Sequence, residues 1–237
     1  MDRASWSDED LSGLPSLVVA AHELKNPLAL IRQLGLLIGD EEISATQRQY
    51  YQKQLIMSAD RSLKLVTDLS MVANMQESLF PLEPVNPFAV CQEIARETSP
   101  FARLYNRQID WPKAKKNILV VANTQLLERV LSNFVTNALR YTEPDVPISV
   151  NIKQSSDVAR ISVRDYGPRL SKKEYIKMLD QLDSLKTART RPDSSGLGVF
   201  LASRFAHVMQ GKIGLTRHRD GVTFYVDMPL SKQMSWL

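Results

Sequence analysis

Two apolar stripes near the N-terminus constrain this chain more than any other feature. Between residues 14 and 39, Leu17, Ala21, Leu24, Leu28, Ile31, Gly35 and Ile38 recur in steps of four and three, which puts them on one helix face. Residues 39–42, Gly-Asp-Glu-Glu, read as a turn. Thr46 is placed to cap a second helix running to about Met75 and striped by Leu55, Ala59, Leu63, Val66, Leu69 and Ala73. Two such helices on a short turn form an antiparallel hairpin. A hairpin alone has little to pack against, so burying both stripes calls for a second copy and a dimeric four-helix bundle.

Prolines at 81, 84 and 87 read as a linker, dividing the chain into 1–80 and 81–237. Beyond it the pattern predicts a helix over 87–101, strands near 109 and 117–122, and a long helix over 124–141. Alternation over 148–152 and 158–164 predicts paired strands. A loop-rich stretch follows over 166–195, then a helix over 197–209 and a closing hairpin of 212–216 and 222–228. Strands mixed with helices in this order give an α/β sandwich, a mixed sheet covered by helices. Glycine follows the same division. Of nine glycines only Gly13, Gly35 and Gly39 precede residue 167; the rest fall where backbone must turn tightly or approach a ligand.

Composition excludes several classes. A single cysteine, Cys91, rules out an intramolecular disulfide framework and a cysteine-cluster zinc site. His22, His207 and His218 are too scattered for a metal site by spacing, and the last two fit surface or packing roles. No apolar run approaches membrane-spanning length, and the start, MDRASWSDED, lacks a signal-peptide pattern. We therefore expect a cytoplasmic chain, membrane-attached only through an upstream segment. Thirty basic and 26 acidic residues, net +4, are interspersed, so no nucleic-acid partner is expected. Lys186, Arg189 and Arg191 form the densest basic stretch, either a solvated loop or a contact with a phosphate ligand.

A lone helical histidine is by default inert, but His22 has informative neighbours in the run AHELKNPL. Pro27 lacks a donor and clashes with the carbonyl of Glu23, kinking the helix at a cost of about 3 kcal/mol. A purely structural helix has no reason to carry that cost. A neutral imidazole attacks phosphorus without prior deprotonation, and an adjacent carboxylate can fix its tautomer and accept the other proton. HELKNP resembles the H-box of sensor histidine kinases of the HisKA type. The resemblance implies His22 as phospho-acceptor, Glu23 as its acid/base partner, and Asn26 as the residue orienting water in the phosphatase direction.

In the 124–141 helix, Asn133 and Asn137 lie four apart on one face, with Arg140 and Tyr141 a turn further on. Asparagine is a poor helix former, yet its amide oxygen can ligate Mg²⁺ without adding negative charge beside a triphosphate. Arg140 can neutralise phosphate and Tyr141 can stack on a base. A solvent-facing polar strip is the plainer reading. The run resembles the N-box of the GHKL superfamily, which implies Asn137 as the Mg²⁺ ligand. Relatives that hydrolyse ATP carry a glutamate where Asn133 stands, and an amide cannot be that general base.

VRDYGPRL at 163–170 is similar to the G1 box, implying Asp165 on the adenine amino group with Gly167 beside it; Arg169 replaces the usual second glycine. SSGLGVF at 194–200 resembles the G2 box, where backbone N–H groups of Ser195, Gly196, Leu197 and Gly198 at a helix N-terminus suit a phosphate. Ser194 replaces the box's first glycine. DGVTFYVDMPL at 220–230 is similar to the closing strand, implying Thr223 in support of the adenine pocket. The F-box phenylalanine is not clear, with Leu182 or Leu185 in its place. Together these imply a sensor histidine kinase core with a Bergerat-type ATP-binding domain, using ATP and Mg²⁺, and acting as a homodimer on the receiver domain of a response regulator. The alternatives are a degenerate family member serving as a scaffold, and a GHKL ATPase or clamp, against which Asn133 and HELKNP argue.

Overall fold

The computed structural model describes residues 17–104, 106–113, 118–143, 145–183 and 196–232. The chain divides into two compact units, Met1–Met75 and Gln76–Leu237, each treated by itself below.

In the first unit, α1 (Leu17–Ile38) packs against α2 (Ala45–Ala73). Ser44, not Thr46, caps α2: its hydroxyl accepts the Gln47 amide at 3.2 Å while the Gln47 side chain accepts the Ser44 amide at 3.0 Å. This reciprocal box satisfies two donors that a helix start leaves orphaned. On α2 the buried positions are Ser58, Ser62, Asp68 and Val72. Leu63 and Val66 of the predicted stripe are 65% and 46% exposed, and Leu28 on α1 is 55% exposed. The seam between the two helices is therefore small and polar on the α2 side, and much of the apolar stripe faces outward.

The second unit begins with a 3-10 turn, Glu77–Leu79, and β1 (Glu83–Val85). The proline segment is thus partly strand: β1 pairs antiparallel with β3 (Val120–Ala122), as an edge strand tolerates proline. Between them come α3 (Pro87–Leu104) and β2 (Ile109–Asp110). Then follow α4 (Thr124–Tyr141), β4 (Ile148–Ser155), β5 (Val158–Arg164), α5 (Lys172–Asp183), α6 (Leu197–Val208), β6 (Lys212–His218) and β7 (Gly221–Pro229). The main sheet has the order β2-β4-β5-β7-β6. Only the β2–β4 pair in it is parallel, so the sheet is mixed.

Alternation decides which face is covered. Ile161, Val163, Val222, Phe224, Val226, Ile213 and Leu215 are buried with Leu127, Leu131, Phe134 and Val135 of α4. Phe134 stacks on Phe224 at 5.7 Å between centroids, joining helix layer to sheet. Truncating either ring to alanine costs about 3–5 kcal/mol on the usual scale of buried aromatics. The opposite sheet face is polar, with Arg160 bidentate to Asp227 and 3.7 Å above the Tyr225 ring.

The 166–195 stretch is not all loop. Helix α5 opens on a capping box in which the Ser171 hydroxyl accepts the Glu174 amide at 3.2 Å and the Glu174 carboxylate accepts the Ser171 amide at 2.8 Å.

Candidate functional site

His22 lies on α1, exposed, with Glu23 half-buried and Asn26 exposed one turn further on. The four-residue spacing puts Asn26 on the face of His22. No hydrogen bond joins the His22 ring to the Glu23 carboxylate among the described residues. Pro27 sits inside the helix, and its carbonyl accepts the Ser58 hydroxyl from α2 at 3.1 Å.

In the second unit the site is built from the end of α4, the segment after β5, the start of α6 and the β6–β7 hairpin. Asn123 caps α4 by accepting the Leu126 amide at 3.2 Å, which fixes the register of the asparagines. Asn133 and Asn137 are half-buried, and the Asn133 side chain donates to the Arg129 carbonyl at 3.0 Å. Arg140 is exposed and 5.6 Å from the centre of the half-buried Tyr141 ring. Beyond the helix, the Thr142 hydroxyl accepts the Tyr166 amide at 3.2 Å, and Glu143 donates to the Tyr166 carbonyl at 3.1 Å. The helix end and the Asp165–Gly167 segment are therefore tied together.

Asp165 is 2% exposed. One carboxylate oxygen accepts the amides of Gly167 at 3.2 Å and Val222 at 3.1 Å. Two backbone donors on one oxygen fix the carboxylate in place. Gly221, with φ of +124°, leaves room for this, since a β-carbon there would lie 2.6 Å from the same carboxylate oxygen. Arg164 braces the segment by donating to the Asp165 carbonyl at 2.6 Å and pairing with Asp220.

Helix α6 starts at Gly196, buried with φ of +74° and no side-chain cap. A β-carbon on Gly198 would stand 3.2 Å from the Asn133 amide oxygen, so the first turn of α6 comes up against the asparagine face of α4. Leu197 is buried. Ser195 lies outside the described residues, as do Ser194, Leu185, Lys186, Arg189 and Arg191; Leu182 is buried.

Residues 122–232 match the family of histidine kinase-, DNA gyrase B-, and HSP90-like ATPases. Over 218 residues the chain is 26% identical to the swarming motility regulation sensor protein RssA of Serratia marcescens, covering 90% of this chain and 45% of that protein. The chain has a sensor histidine kinase catalytic core. It spans about half the length of the curated relatives it matches. The solved structure of the histidine kinase AdeS of Acinetobacter baumannii shares its fold with a TM-score of 0.61 at 18% identity, covering 89% of this chain and 98% of that one. Full-length ShkA in complex with AMPPNP gives the same TM-score at 23% identity, over 94% of this chain and 48% of that one.

Within this kinase core, Thr223 has a neighbour that the sequence did not point to. Thr223 lies on the polar face of the sheet, opposite Arg164 in register, because residues alternate along β7. Its hydroxyl is 2.9 Å from Nε2 of His218. Val222, its inward neighbour, meets Asp165 through its amide. Arg169 keeps an ordinary negative φ, so replacing a glycine there strains nothing. Sequence reasoning gave no role to Gly221, Thr142 or Arg164. Only Gly221 had a signal, as the glycine of an Asp-Gly turn before a strand. Burial pushes the Cys91 thiol up to about 12, which keeps it out of thiolate chemistry. Among the described residues, no helix is long and apolar enough to cross a membrane.

Proposed function

We propose that this chain is a protein-histidine kinase of a two-component system. It takes the γ-phosphoryl group of ATP onto a ring nitrogen of His22, in cis or across a dimer, and passes it to an aspartate of a response regulator receiver domain. The observation that carries this reading is the exposed His22, one turn before a helical proline, in a chain whose second unit holds a buried, pre-oriented carboxylate at Asp165. A carboxylate held in this way suits a purine amino group.

The donor chemistry fits Mg²⁺ and a triphosphate. Asn137 offers a neutral hard oxygen for the metal, and the N-terminus of α6, without a side-chain cap, suits phosphate oxygens. When bound, Mg²⁺ neutralises charge on the phosphates. Asn137 holds it, Arg140 adds a cation beside the phosphates, and Tyr141 offers a ring face to the base. Asn133, an amide, cannot deprotonate water, which directs the phosphoryl group to a side chain. Glu23 receives the imidazole proton as His22 forms its bond to phosphorus, and Asn26 orients water in the reverse, phosphatase direction. Most of the catalysis is positioning.

The outward-facing Leu28, Leu36, Ile56 and Leu63 support a homodimer, in which a second hairpin completes a four-helix bundle. In the cell such a core works in the cytoplasm.

The test is incubation with γ-labelled ATP and Mg²⁺, comparing the unsubstituted chain with His22→Gln and Asn137→Ala. Acid-labile, alkali-stable label absent from both variants is the expected result. Label persisting in His22→Gln would remove the acceptor assignment, and failure to bind nucleotide would leave a regulator-binding scaffold.

A further inference from the structure

The carbonyl of Pro27, inside α1, is met by an unusual bond from the other helix. A serine inside a helix ordinarily satisfies its hydroxyl on the carbonyl four residues back. Ser62 does so on Ser58 at 2.9 Å, and Thr67 on Leu63 at 2.8 Å. Ser58 instead reaches across the hairpin and donates to the Pro27 carbonyl at 3.1 Å. Ser58 is buried, at 6% exposure, and Pro27 half-buried. Proline leaves the Glu23 carbonyl without its helical donor, so Pro27 is where α1 bends most readily, its natural hinge. His22 lies on one side of that hinge, about 7.5 Å away along the axis at 1.5 Å per residue. Ser58 fastens the hinge itself to α2.

We propose that Ser58 is a positioning residue for His22: by holding the Pro27 carbonyl it sets the bend of α1 and hence the direction in which the His22 ring is presented. The proposal rests on the reading of His22 as phosphoryl acceptor. Nothing in the HELKNP run marks this partner, because it lies 31 residues beyond Pro27, on the other helix. Bond formation to phosphorus needs the ring nitrogen in line with the leaving oxygen, and small misplacements there are costly in rate.

The experiment uses Ser58→Ala, Ser58→Thr, Pro27→Ala and the double variant Ser58→Ala/Pro27→Ala in the whole chain, with helicity checked by circular dichroism. The chain has three histidines, so ¹H–¹⁵N spectra of the imidazole rings report on His22 directly, with His207 and His218 as internal references. We expect Ser58→Ala to shift the His22 ring signals alone and Ser58→Thr to restore them. Autophosphorylation at saturating ATP should fall about tenfold in Ser58→Ala with KM for ATP unchanged. In the Pro27→Ala background, removing the Ser58 hydroxyl should add nothing, since the hinge it holds is gone. His22 signals unmoved in Ser58→Ala, or an equal effect with and without Pro27, would overturn the proposal. Absence of label from the unsubstituted chain would overturn the acceptor reading instead, a result the ring signals cannot mimic.

Discussion

Gly221 and Asp165 occupy one space: a β-carbon on Gly221 would stand 2.6 Å from the carboxylate oxygen that Val222 and Gly167 bind. Its φ of +124° is also a conformation that side chains rarely adopt. We expect Gly221→Ala to cost about 1–3 kcal/mol of stability in the second unit. Turning the carboxylate should also weaken ADP binding at least tenfold. Calorimetric titration with ADP, read beside a thermal melt, separates the two effects.

Gly198 gives the opposite combination. It lies inside α6, where alanine gains about 1 kcal/mol of helix propensity over glycine, but the added β-carbon would press to 3.2 Å on the Asn133 amide oxygen. Gly198→Ala is therefore expected to leave the melting temperature unchanged or higher while nucleotide affinity falls. Equal affinity in the variant would mean that the Asn133 amide has room to move aside.

His218 links acidity to stability. Burial, then the nearby Arg164 cation, depresses its pKa below the ordinary 6.5, with Asp220 and Asp165 opposing. The unfolded chain then takes up the proton before the folded one does. The stability this histidine contributes is complete above about pH 6.5 and is lost as pH falls through the lower folded value. Melting of the chain at pH 7.5 and 5.0 should show that loss, and His218→Gln should reduce it.

The open stripe of the first unit predicts an oligomer. Leu63 is 65% and Ile56 is 58% exposed. Introducing a charge by Leu63→Glu should cost about 2 kcal/mol or more of association energy and yield monomer in sedimentation velocity, with ADP affinity in the second unit unaffected.

The sequence patterns located most elements because their signals are local. The span of α4 was read in full from its apolar period, and β5 from strict alternation. Helix α5 was missed although Ser171 and Glu174 carry the spacing of a capping box, because its flanks read as loop. Prolines 81 and 84 looked like linker because local punctuation cannot show that β3 lies ready to pair with β1. Asp165 and the asparagines of α4 were visible as motif residues. The residues that hold them were not: Thr142 and Arg164 act through backbone groups, and a backbone partner imposes no residue pattern. The face that Thr223 occupies follows from its register opposite Arg164, and in a strand one position is the whole difference between two faces.

The exposed leucines of the first unit have a further consequence. A helix pair that keeps its apolar stripe in water does not own its stability, so dilution acts on it as urea acts on a self-sufficient domain. The second unit, closed around Phe134 and Phe224, is expected to melt at one temperature whatever the protein concentration. On the proposed homodimer, the two halves of one chain obey different laws of mass action, and copy number becomes a variable that only the first unit senses.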